Sequence, residues 1–217
     1  RMKGAEAADI LARSGARLLF VEGQFLGADY PAMLAPHRPA SLEQVVVIGS
    51  TAAAATDLTL AELCARGEQV PLEAARTRAL AVRPDDLCDL LYTSGTTGKP
   101  KGVMNAHRQS LRAFSEYVRI IGLRPGDRYL IVNPFFHSFG YKAGWLTCLL
   151  AGATILPHAV FDAEAIFERV ARERITVLPG PPALYLSMLA HPRLQSADLG
   201  SLRIAVTGAS TIPPQLI

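Results

Sequence analysis

Four short apolar runs in the second half of the chain alternate with segments of helical periodicity, and this alternation constrains the fold more than any other feature. The runs occupy Tyr129–Val132, Ala153–Leu156, Ile175–Leu178 and Leu202–Val206. Between the second and third runs, Asp162 is followed by apolar residues at three- and four-residue spacing, which predicts a capped helix over Ala163–Arg172. Strands and helices that alternate at this spacing form parallel sheets covered by helices. The sequence therefore predicts an α/β fold.

The first half of the chain carries the same pattern in a weaker form. The spacing of apolar residues predicts a helix over Lys3–Ser14, ended by the glycine that follows. The β-branched run Gln44–Ile48 is typical of a buried strand. Between residues 49 and 83 the signals are weak, and only one helix is predicted, over Leu58–Cys64.

Composition excludes several classes of function. The chain has 217 residues, of which half are hydrophobic and 19% charged, as in an ordinary globular protein of one or two domains. A net charge of +3 without runs of like charge argues against nucleic acid or an anionic membrane as partner. The longest apolar segment, Ala143–Pro157, is too short to span a bilayer. The widely separated Cys64, Cys88 and Cys148 are expected to be small buried residues in a reducing cytoplasm.

The stretch Leu91–Gly102, LYTSGTTGKPKG, concentrates the chemistry of the chain. Its glycines let consecutive backbone amides form a concave nest around an anion, and its hydroxyl and lysine side chains add hydrogen-bond donors and positive charge. A strand-like run, Leu87–Tyr92, leads into this stretch, and a strand is predicted over Val103–Ala106. We interpret the stretch as a loop that binds the phosphates of ATP at the end of a sheet, where ligands of open α/β folds bind.

Two other interpretations of this loop have to be weighed. A surface turn rich in Gly, Ser and Thr has a similar composition, but the complete ten-residue pattern disfavours it. A Walker A loop needs four residues between its glycines, a Ser or Thr after the lysine, and a helix next. Here two residues separate Gly95 from Gly98, and Pro100 follows Lys99. A P-loop kinase or GTPase is therefore disfavoured.

Further loops of interest follow predicted strands. His137 lies between Phe136 and Phe139, which suits an apolar pocket for a carboxylic acid with a hydrophobic body. The structural alternative is a histidine satisfied by packing and one backbone hydrogen bond. The small residues of Thr207–Ser210 would let a flat ring approach the backbone, or they form a plain βα turn. The prolines of Pro179–Pro182 predict a rigid turn.

Thr93–Gly102 matches the TSGTTGxPKG signature at every fixed position, and on this basis the chain is identified as a member of the adenylate-forming superfamily. That superfamily includes acyl-CoA synthetases, luciferases and peptide-synthetase adenylation domains. Asn133–Gly140 resembles its P-x-x-H segment, and Thr207–Ser210 resembles its small-residue loop near the nucleotide. A narrower resemblance is to actinobacterial acyl-CoA synthetases of steroid catabolism, in particular those that activate a bicyclic indane propanoate. It is carried by Ala106–Leu111, Asn133–Gly144 and Ile175–Tyr185.

The resemblance implies an AMP-forming acid–thiol ligase that converts a steroid-derived or other bulky acid to its adenylate and then to its CoA thioester. Expected cosubstrates and cofactors are ATP, CoA and Mg²⁺, and the assembly is compatible with a homodimer. His137 and Phe139 are expected to line or gate the acyl pocket, and Gly208 and Ala209 to face the adenine and the acyl group. The residues expected to hold the phosphates are Thr93, Ser94, Gly95, Thr96, Thr97, Gly98, Lys101 and Gly102.

The resemblance also implies an incomplete N-terminal AMP-binding domain over residues 1–217, built from stacked βα units with mixed sheets. It would contain the phosphate loop at 93–102 and a second βα half at about 128–217. The catalytic lysine, the magnesium-binding segment and the C-terminal domain are expected beyond Ile217, so no catalytic residue and no metal ligand is assigned here and the isolated fragment is expected to be inactive. An adenylation domain that loads a carrier protein, or a non-catalytic nucleotide-binding truncation, remains an alternative.

Overall fold

The computed structural model describes residues 3–49, 54, 56–93, 100–208 and 210–216. The chain divides into two compact units, Arg1–Met104 and Asn105–Ile217. The helices of the first unit are α1 (Gly4–Ser14), α2 (Tyr30–Leu34), α3 (Leu60–Gly67) and α4 (Leu72–Leu80), with a 3₁₀ turn at Ala35–His37. Its strands are β1 (Leu18–Glu22), β2 (Gln24–Phe25), β3 (Ala28–Asp29), β4 (Gln44–Ile48), β5 (Leu58–Thr59), β6 (Leu87–Thr93) and β7 (Lys101–Ala106), the last two residues of β7 belonging to the second unit.

The second unit alternates helices and strands along its whole length. Its strands are β8 (Arg128–Ile131), β9 (Thr154–Pro157), β10 (Val177–Gly180) and β11 (Ile204–Thr207). Its α-helices are α5 (His107–Ile121), α6 (Ser138–Gly140), α7 (Thr147–Ala151), α8 (Ala163–Glu173) and α9 (Pro182–Leu189). A π-helix (Tyr141–Leu146) joins α6 to α7, and 3₁₀ turns lie at Pro192–Ser196 and Pro214–Leu216. Among the described residues, no helix is both long enough and apolar enough to cross a bilayer.

In the first unit, β1, β4 and β5 form a parallel sheet in that order, and β2 pairs with β3 as an antiparallel hairpin. The predicted helix over Lys3–Ser14 and the predicted strand at Gln44–Ile48 are confirmed. The predicted helix over Leu58–Cys64 is wrong at its start, because Thr59 is the N-cap: its hydroxyl accepts from the Glu62 backbone N–H at 3.2 Å. Helix α4 was missed, because its residues are exposed throughout and it therefore lacks an apolar stripe.

The second unit is built on one parallel sheet with the strand order β11-β10-β8-β9. Alternate residues of β8 face opposite sides of this sheet. Leu130 packs with α8 and α9, whereas Tyr129 and Ile131 pack with the layer that contains α7. The predicted α/β architecture, with parallel and antiparallel pairs in different sheets, is thus confirmed.

The rigid turn predicted at Pro179–Pro182 is wrong. Pro179 and Gly180 are the last residues of β10, and Pro182 is the first residue of α9. A proline is well tolerated at the first helical position because its missing N–H would have no partner there in any case. The prolines therefore mark a direct passage from strand to helix.

The carboxylate of Asp127 joins the amino-terminal ends of the strands in this sheet. Asp127 is 3% exposed and accepts from the Arg124 backbone N–H and the Thr176 hydroxyl, each at 2.9 Å, and from the Arg203 guanidinium. Its backbone carbonyl accepts from the Thr154 N–H at 2.8 Å. One residue thereby contacts the entrance of every strand in the sheet, and we call this group the Asp127 clasp.

Burial alone would raise the pKa of the Asp127 carboxyl, but the hydrogen bonds from Arg203, Arg124 and Thr176 hold it below its usual range. A carboxyl with a lowered pKa in the folded state stabilises the fold above its unfolded-state pKa of about 3.9. That stabilisation is lost as the pH falls through the lower folded-state pKa.

We expect Asp127→Asn to lower the free energy of unfolding by about 2 kcal/mol at pH 7, the scale of charged hydrogen bonds to a buried group. The difference from the wild type should shrink as the pH falls below about 4, because the wild-type carboxyl then becomes neutral as well. Urea unfolding at several pH values measures both effects.

Asp198→Asn is the matched control, because Asp198 meets Arg174 at 3.5 Å with both side chains exposed. Such a pair contributes little, so a change of less than about 0.5 kcal/mol is expected. An Asp127→Asn variant as stable as this control would contradict the role given to the clasp.

Candidate functional site

Strands β6 and β7 hold the two ends of the predicted phosphate loop. They are neighbours in a two-stranded sheet, and the connection over residues 94–100 is far shorter than a parallel crossover requires, so the strands run antiparallel. Thr93 and Lys101, both exposed, therefore lie at the same end of this sheet. The other predicted residues of the loop, Ser94, Gly95, Thr96, Thr97 and Gly98, lie outside the described residues, as does Lys99.

Arg13 of α1 contacts residues at both ends of the predicted phosphate loop, the Tyr92 ring before it and the Pro100 backbone after it. Its guanidinium lies 5.5 Å from the centre of the Tyr92 ring, and its Nη1 donates to the Pro100 carbonyl at 2.9 Å. On the same side chain, Nη1 meets the Asp9 carboxylate at 3.3 Å. Gly102 lies against the same tyrosine, since a Cβ at that position would be 3.2 Å from Tyr92 Cζ. Sequence reasoning missed Arg13, because nothing in the pattern of α1 relates it to a loop so distant in the chain.

The second group of predicted residues lies at the carboxyl end of the four-stranded sheet in the second unit. β8 leads into the segment with His137 and Phe139, and β11 leads into Gly208. The two segments thus leave the same edge of one sheet, the edge at which ligands of such sheets bind. A Cβ at Gly208 would meet no atom of the described residues within 4 Å, so the backbone there is open to a neighbour. Ala209 lies outside the described residues.

Three of the four strands at this edge are followed or ended by a buried polar atom that has no hydrogen-bond partner among the described residues. These atoms are Thr207 Oγ1 on β11, Asn133 Nδ2 after β8 and His158 Nε2 after β9. Unpaired polar atoms are unfavourable in a folded protein, and they are expected where a ligand completes the structure. Their concentration at one edge marks it as a candidate binding site.

His137 is the N-cap of α6. Its Nδ1 accepts from the Phe139 backbone N–H at 3.2 Å, so in the neutral ring the proton is on Nε2. The imidazole of His137 is exposed and Phe139 is half-buried, whereas the Phe136 ring is 84% exposed. The histidine therefore has a structural role in starting the helix and an Nε2–H that remains as a donor.

His158 is held in a defined tautomer by its neighbour. Its Nδ1 lies 3.1 Å from Arg169 Nη1, and because a guanidinium only donates, Nδ1 accepts and Nε2 carries the proton. Burial and the positive charge of Arg169 lower the pKa of His158. No group of three or more His, Cys, Asp or Glu side chains suited to a metal occurs among the described residues.

The cysteines behave differently from one another. Cys148 is buried, and burial raises the pKa of its thiol to about 12. Cys88 is half-buried, and Cys64 is exposed. The expectation that all three are buried is therefore wrong for Cys64, which lies on the exposed helix α3.

The π-helix at Tyr141–Leu146 follows α6 directly and has a wider turn than an α-helix. π-Helical turns change the backbone hydrogen-bond pattern and are frequent at functional sites. Here the carbonyl of Ala143 accepts from the Tyr129 hydroxyl at 2.7 Å and from the Thr147 hydroxyl. Gly144 lies against β8, since a Cβ there would be 3.1 Å from Ile131 Cδ1. Side chains from the sheet and the next helix thus support the irregular turn.

We expect Tyr129→Phe to lower the free energy of unfolding by about 1 kcal/mol, because the buried Ala143 carbonyl loses one of its two donors. Burial raises the pKa of Tyr129, so its hydroxyl stays protonated and no pH dependence of this effect is expected below pH 10. Urea unfolding of wild type and variant at pH 7 and pH 9 measures both. An equal stability of the two proteins would show that the hydroxyl does not support the π-helix.

The chain is similar over its whole length to a known protein family and to two named enzymes. The sequence profile of the family described as AMP-binding enzyme matches residues 1–217. A 3-[(3aS,4S,7aS)-7a-methyl-1,5-dioxo-octahydro-1H-inden-4-yl]propanoyl:CoA ligase from Mycobacterium tuberculosis is 49% identical over 100% of this chain and 42% of its own length. The enzyme of the same name from Rhodococcus jostii is 43% identical over 100% of this chain and 43% of its own length. The narrower resemblance found in the sequence is therefore confirmed.

Among solved structures, the anthranilate CoA ligase AuaEII in complex with anthranoyl-AMP superposes with a TM-score of 0.81 and 29% identity. The match covers 98% of this chain and 40% of that structure. The chain thus spans about two fifths of the length of the relatives that it matches.

Proposed function

The chain belongs to the AMP-binding enzyme family, and on this basis we propose that the protein of which it forms a part is an acyl-CoA ligase that uses ATP. In the first step, a carboxylate oxygen of the acid attacks the α-phosphorus of ATP, and the bond to the bridging oxygen breaks to release pyrophosphate. In the second step, the sulfur of CoA attacks the acyl carbon, the thiol proton leaves to solvent or a base, and AMP departs. The products are acyl-CoA, AMP and pyrophosphate.

The observation that carries this proposal is the strand at Lys101–Ala106. In a Walker A site the phosphate loop opens a helix, whereas here the signature stretch returns directly into a strand paired with the one before it. The pairing brings Thr93 and Lys101 to one end of the sheet. A hydroxyl and a cation at the base of a glycine-rich loop suit the phosphates of ATP.

Within this reaction, the described residues bind and orient rather than break bonds. Lys101 would neutralise the negative charge that develops on the departing pyrophosphate, and Thr93 would donate a hydrogen bond to the same group. Arg13 would keep the loop in place through its contacts with Tyr92 and Pro100. The residues outside the described ranges, Ser94 to Gly98, would complete the nest of donors.

The acid would bind at the carboxyl edge of the sheet in the second unit. The Asn133 and Thr207 side chains have polar atoms there without a hydrogen-bond partner among the described residues, and Gly208 leaves space beside the backbone for a flat group such as adenine. His137 and Phe139 would line the acyl side. The identity with two indane-propanoate CoA ligases supports a bulky, steroid-derived acid as substrate.

Mg²⁺ is proposed as the ion that accompanies ATP, where it would offset phosphate charge. The described residues offer no cluster of carboxylates that fits it, so we assign it no ligand in this chain. The alternative is an adenylation domain that loads a carrier protein. The two differ in the thiol that accepts the acyl group, which is CoA in the proposed function and belongs to the carrier protein in the alternative. We further propose that the enzyme forms a homodimer and is located in the cytoplasm.

We expect Lys101→Ala in the full-length enzyme to lower the rate of acid-dependent pyrophosphate release about 100- to 1,000-fold, the effect of removing one charged donor from a developing anion. A coupled pyrophosphate assay with saturating acid and ATP measures the rate. Lys3→Ala is the matched control, because Lys3 is an exposed lysine at the start of α1, and its rate should equal that of the wild type.

Unchanged pyrophosphate release in Lys101→Ala would contradict the role of this lysine. The wild-type enzyme should also convert acid, ATP and CoA to a CoA thioester, detected by mass spectrometry. Adenylate formation without a CoA thioester would instead support the carrier-protein alternative.

A further inference from the structure

Arg13 is the point at which helix α1 meets the strand pair β6–β7. The helix is anchored through Ala8, which belongs to a buried apolar cluster with Val45 and Val47 of β4. The strands β6 and β7 form a two-stranded sheet, and two strands by themselves are marginally stable in water. A side chain from a helix that is anchored elsewhere therefore helps to fix the position of these strand ends.

The guanidinium of Arg13 contacts both strands or the residues next to them. It lies 5.5 Å from the centre of the Tyr92 ring of β6, and its Nη1 donates to the Pro100 carbonyl at 2.9 Å. The same ring reaches across to β7, because a Cβ on Gly102 would lie 3.2 Å from Tyr92 Cζ. Lys101 lies between Pro100 and Gly102, so both of its neighbours in the chain are held by this group of contacts.

The hydrogen bond to Pro100 restrains Lys101 through the peptide unit that the two residues share. A peptide unit is planar, and none is cis in the part of the chain that the structure describes, so the Pro100 C=O and the Lys101 N–H point in opposite directions. By holding the oxygen, Arg13 fixes the orientation of the whole unit. The Lys101 side chain departs from the far end of this unit, and its starting direction is fixed as well.

Asp9 indicates that Arg13 acts through position rather than through charge. The Asp9 carboxylate meets Arg13 Nη1 at 3.3 Å, and the two side chains are 46% and 39% exposed. An opposite charge this close, together with the surrounding water, offsets most of the field of the guanidinium. The hydrogen bond to the carbonyl and the contact with the ring are not cancelled in this way.

We propose that Arg13 is a positioning residue for Lys101: through Tyr92 and the Pro100 carbonyl, it holds Lys101 in the orientation in which the ammonium meets the departing pyrophosphate. The inference rests on the proposed function, because it takes Lys101 as the group that neutralises this charge. A small displacement of such a group costs a large part of its effect on the rate. Arg13 should therefore matter while Lys101 is present, and in the step that releases pyrophosphate.

A double-mutant cycle in the full-length enzyme tests this dependence. Arg13→Met, Lys101→Ala and the double variant are compared with the wild type in the coupled pyrophosphate assay. Arg13→Met should lower kcat about tenfold and change KM for ATP less than about threefold, because a displaced Lys101 loses its contact with charge that develops in the transition state. In the Lys101→Ala background, the same substitution should lower kcat less than about twofold, because no ammonium remains to be positioned.

The outcomes of the cycle separate this inference from the proposed function. If the wild type releases no acid-dependent pyrophosphate, or if Lys101→Ala releases it at the wild-type rate, the proposed function is wrong. If Lys101→Ala is slow but Arg13→Met has the wild-type kcat, only the role of Arg13 is wrong. A loss from Arg13→Met that persists undiminished in the double variant would also overturn that role.

Arg17→Met is the matched control. Arg17 lies shortly after α1 and pairs with Glu43 at 2.6 Å, and both side chains are exposed. Such a pair contributes little to stability, so kcat should stay within about twofold of the wild type. A loss as large as that of Arg13→Met would show that the effect is not particular to Arg13 and would contradict the inference.

The second step of the reaction provides a measurement that a general structural defect would not spare. Preformed acyl-adenylate is supplied together with CoA, and the CoA thioester is measured by mass spectrometry. Pyrophosphate is absent from this step, so Arg13→Met should change its rate less than about twofold. Equal losses in both steps would indicate damage to the fold and would overturn the positioning role.

Tyr92→Leu tests the ring against which the guanidinium lies. It should lower kcat for pyrophosphate release at least about threefold, and Arg13→Met should cost less in this background than in the wild type. Fully additive losses would show that Arg13 does not act through Tyr92. If the thermal midpoint shows that Tyr92→Leu does not fold, the cycle of Arg13 with Lys101 decides, since both of these side chains are exposed.

Discussion

The second unit depends on the buried carboxylate of Asp127. Adjacent parallel strands cannot be joined by a tight turn, so long connections must bring each pair into register. Asp127 meets this need at one end of the sheet by contacting residues at the start of β8, β9, β10 and β11. With the amino-terminal ends joined in this way, the carboxyl ends are free of the same constraint. Three buried polar atoms without a hydrogen-bond partner among the described residues occur there, on Asn133, His158 and Thr207.

The same strand that begins at the Asp127 clasp also shapes the site at its other end. Tyr129 lies two residues after Asp127, and its hydroxyl donates to the Ala143 carbonyl. Ile131 packs on Gly144 of the π-helix. Asn133 lies in the loop after β8, four residues before His137. The stability of the sheet and the position of the candidate site are therefore linked through Tyr129 and Ile131 of β8 and the segment that follows it, and a change that shifts this strand would affect both.

Sequence reasoning succeeded where a local pattern determines the structure. The capped helix after Asp162 and the strand at Gln44–Ile48 follow from spacing and side-chain type, and both are present. One local pattern was missed, the capping box of Thr59 and Glu62 that starts α3. Sequence reasoning failed where tertiary contacts decide, since the π-helix depends on a hydroxyl from Tyr129. Arg13 and the burial of Lys142 were likewise invisible, because their partners are far away in the chain. The signature stretch was recognised as a pattern, while its central residues lie outside the described ranges.

Gly140 has a consequence for how such a protein can change over evolutionary time. A methyl group at this position would overlap the carbonyl oxygens of Asn133 and Pro134, which are backbone atoms and have little freedom to move. Any larger residue at position 140 would therefore displace the whole helical segment. Small stepwise substitutions are not tolerated at this position. A preference for a new acid substrate would then arise by substitution of side chains on an unchanged backbone. Related proteins should differ at those side-chain positions and retain the glycine.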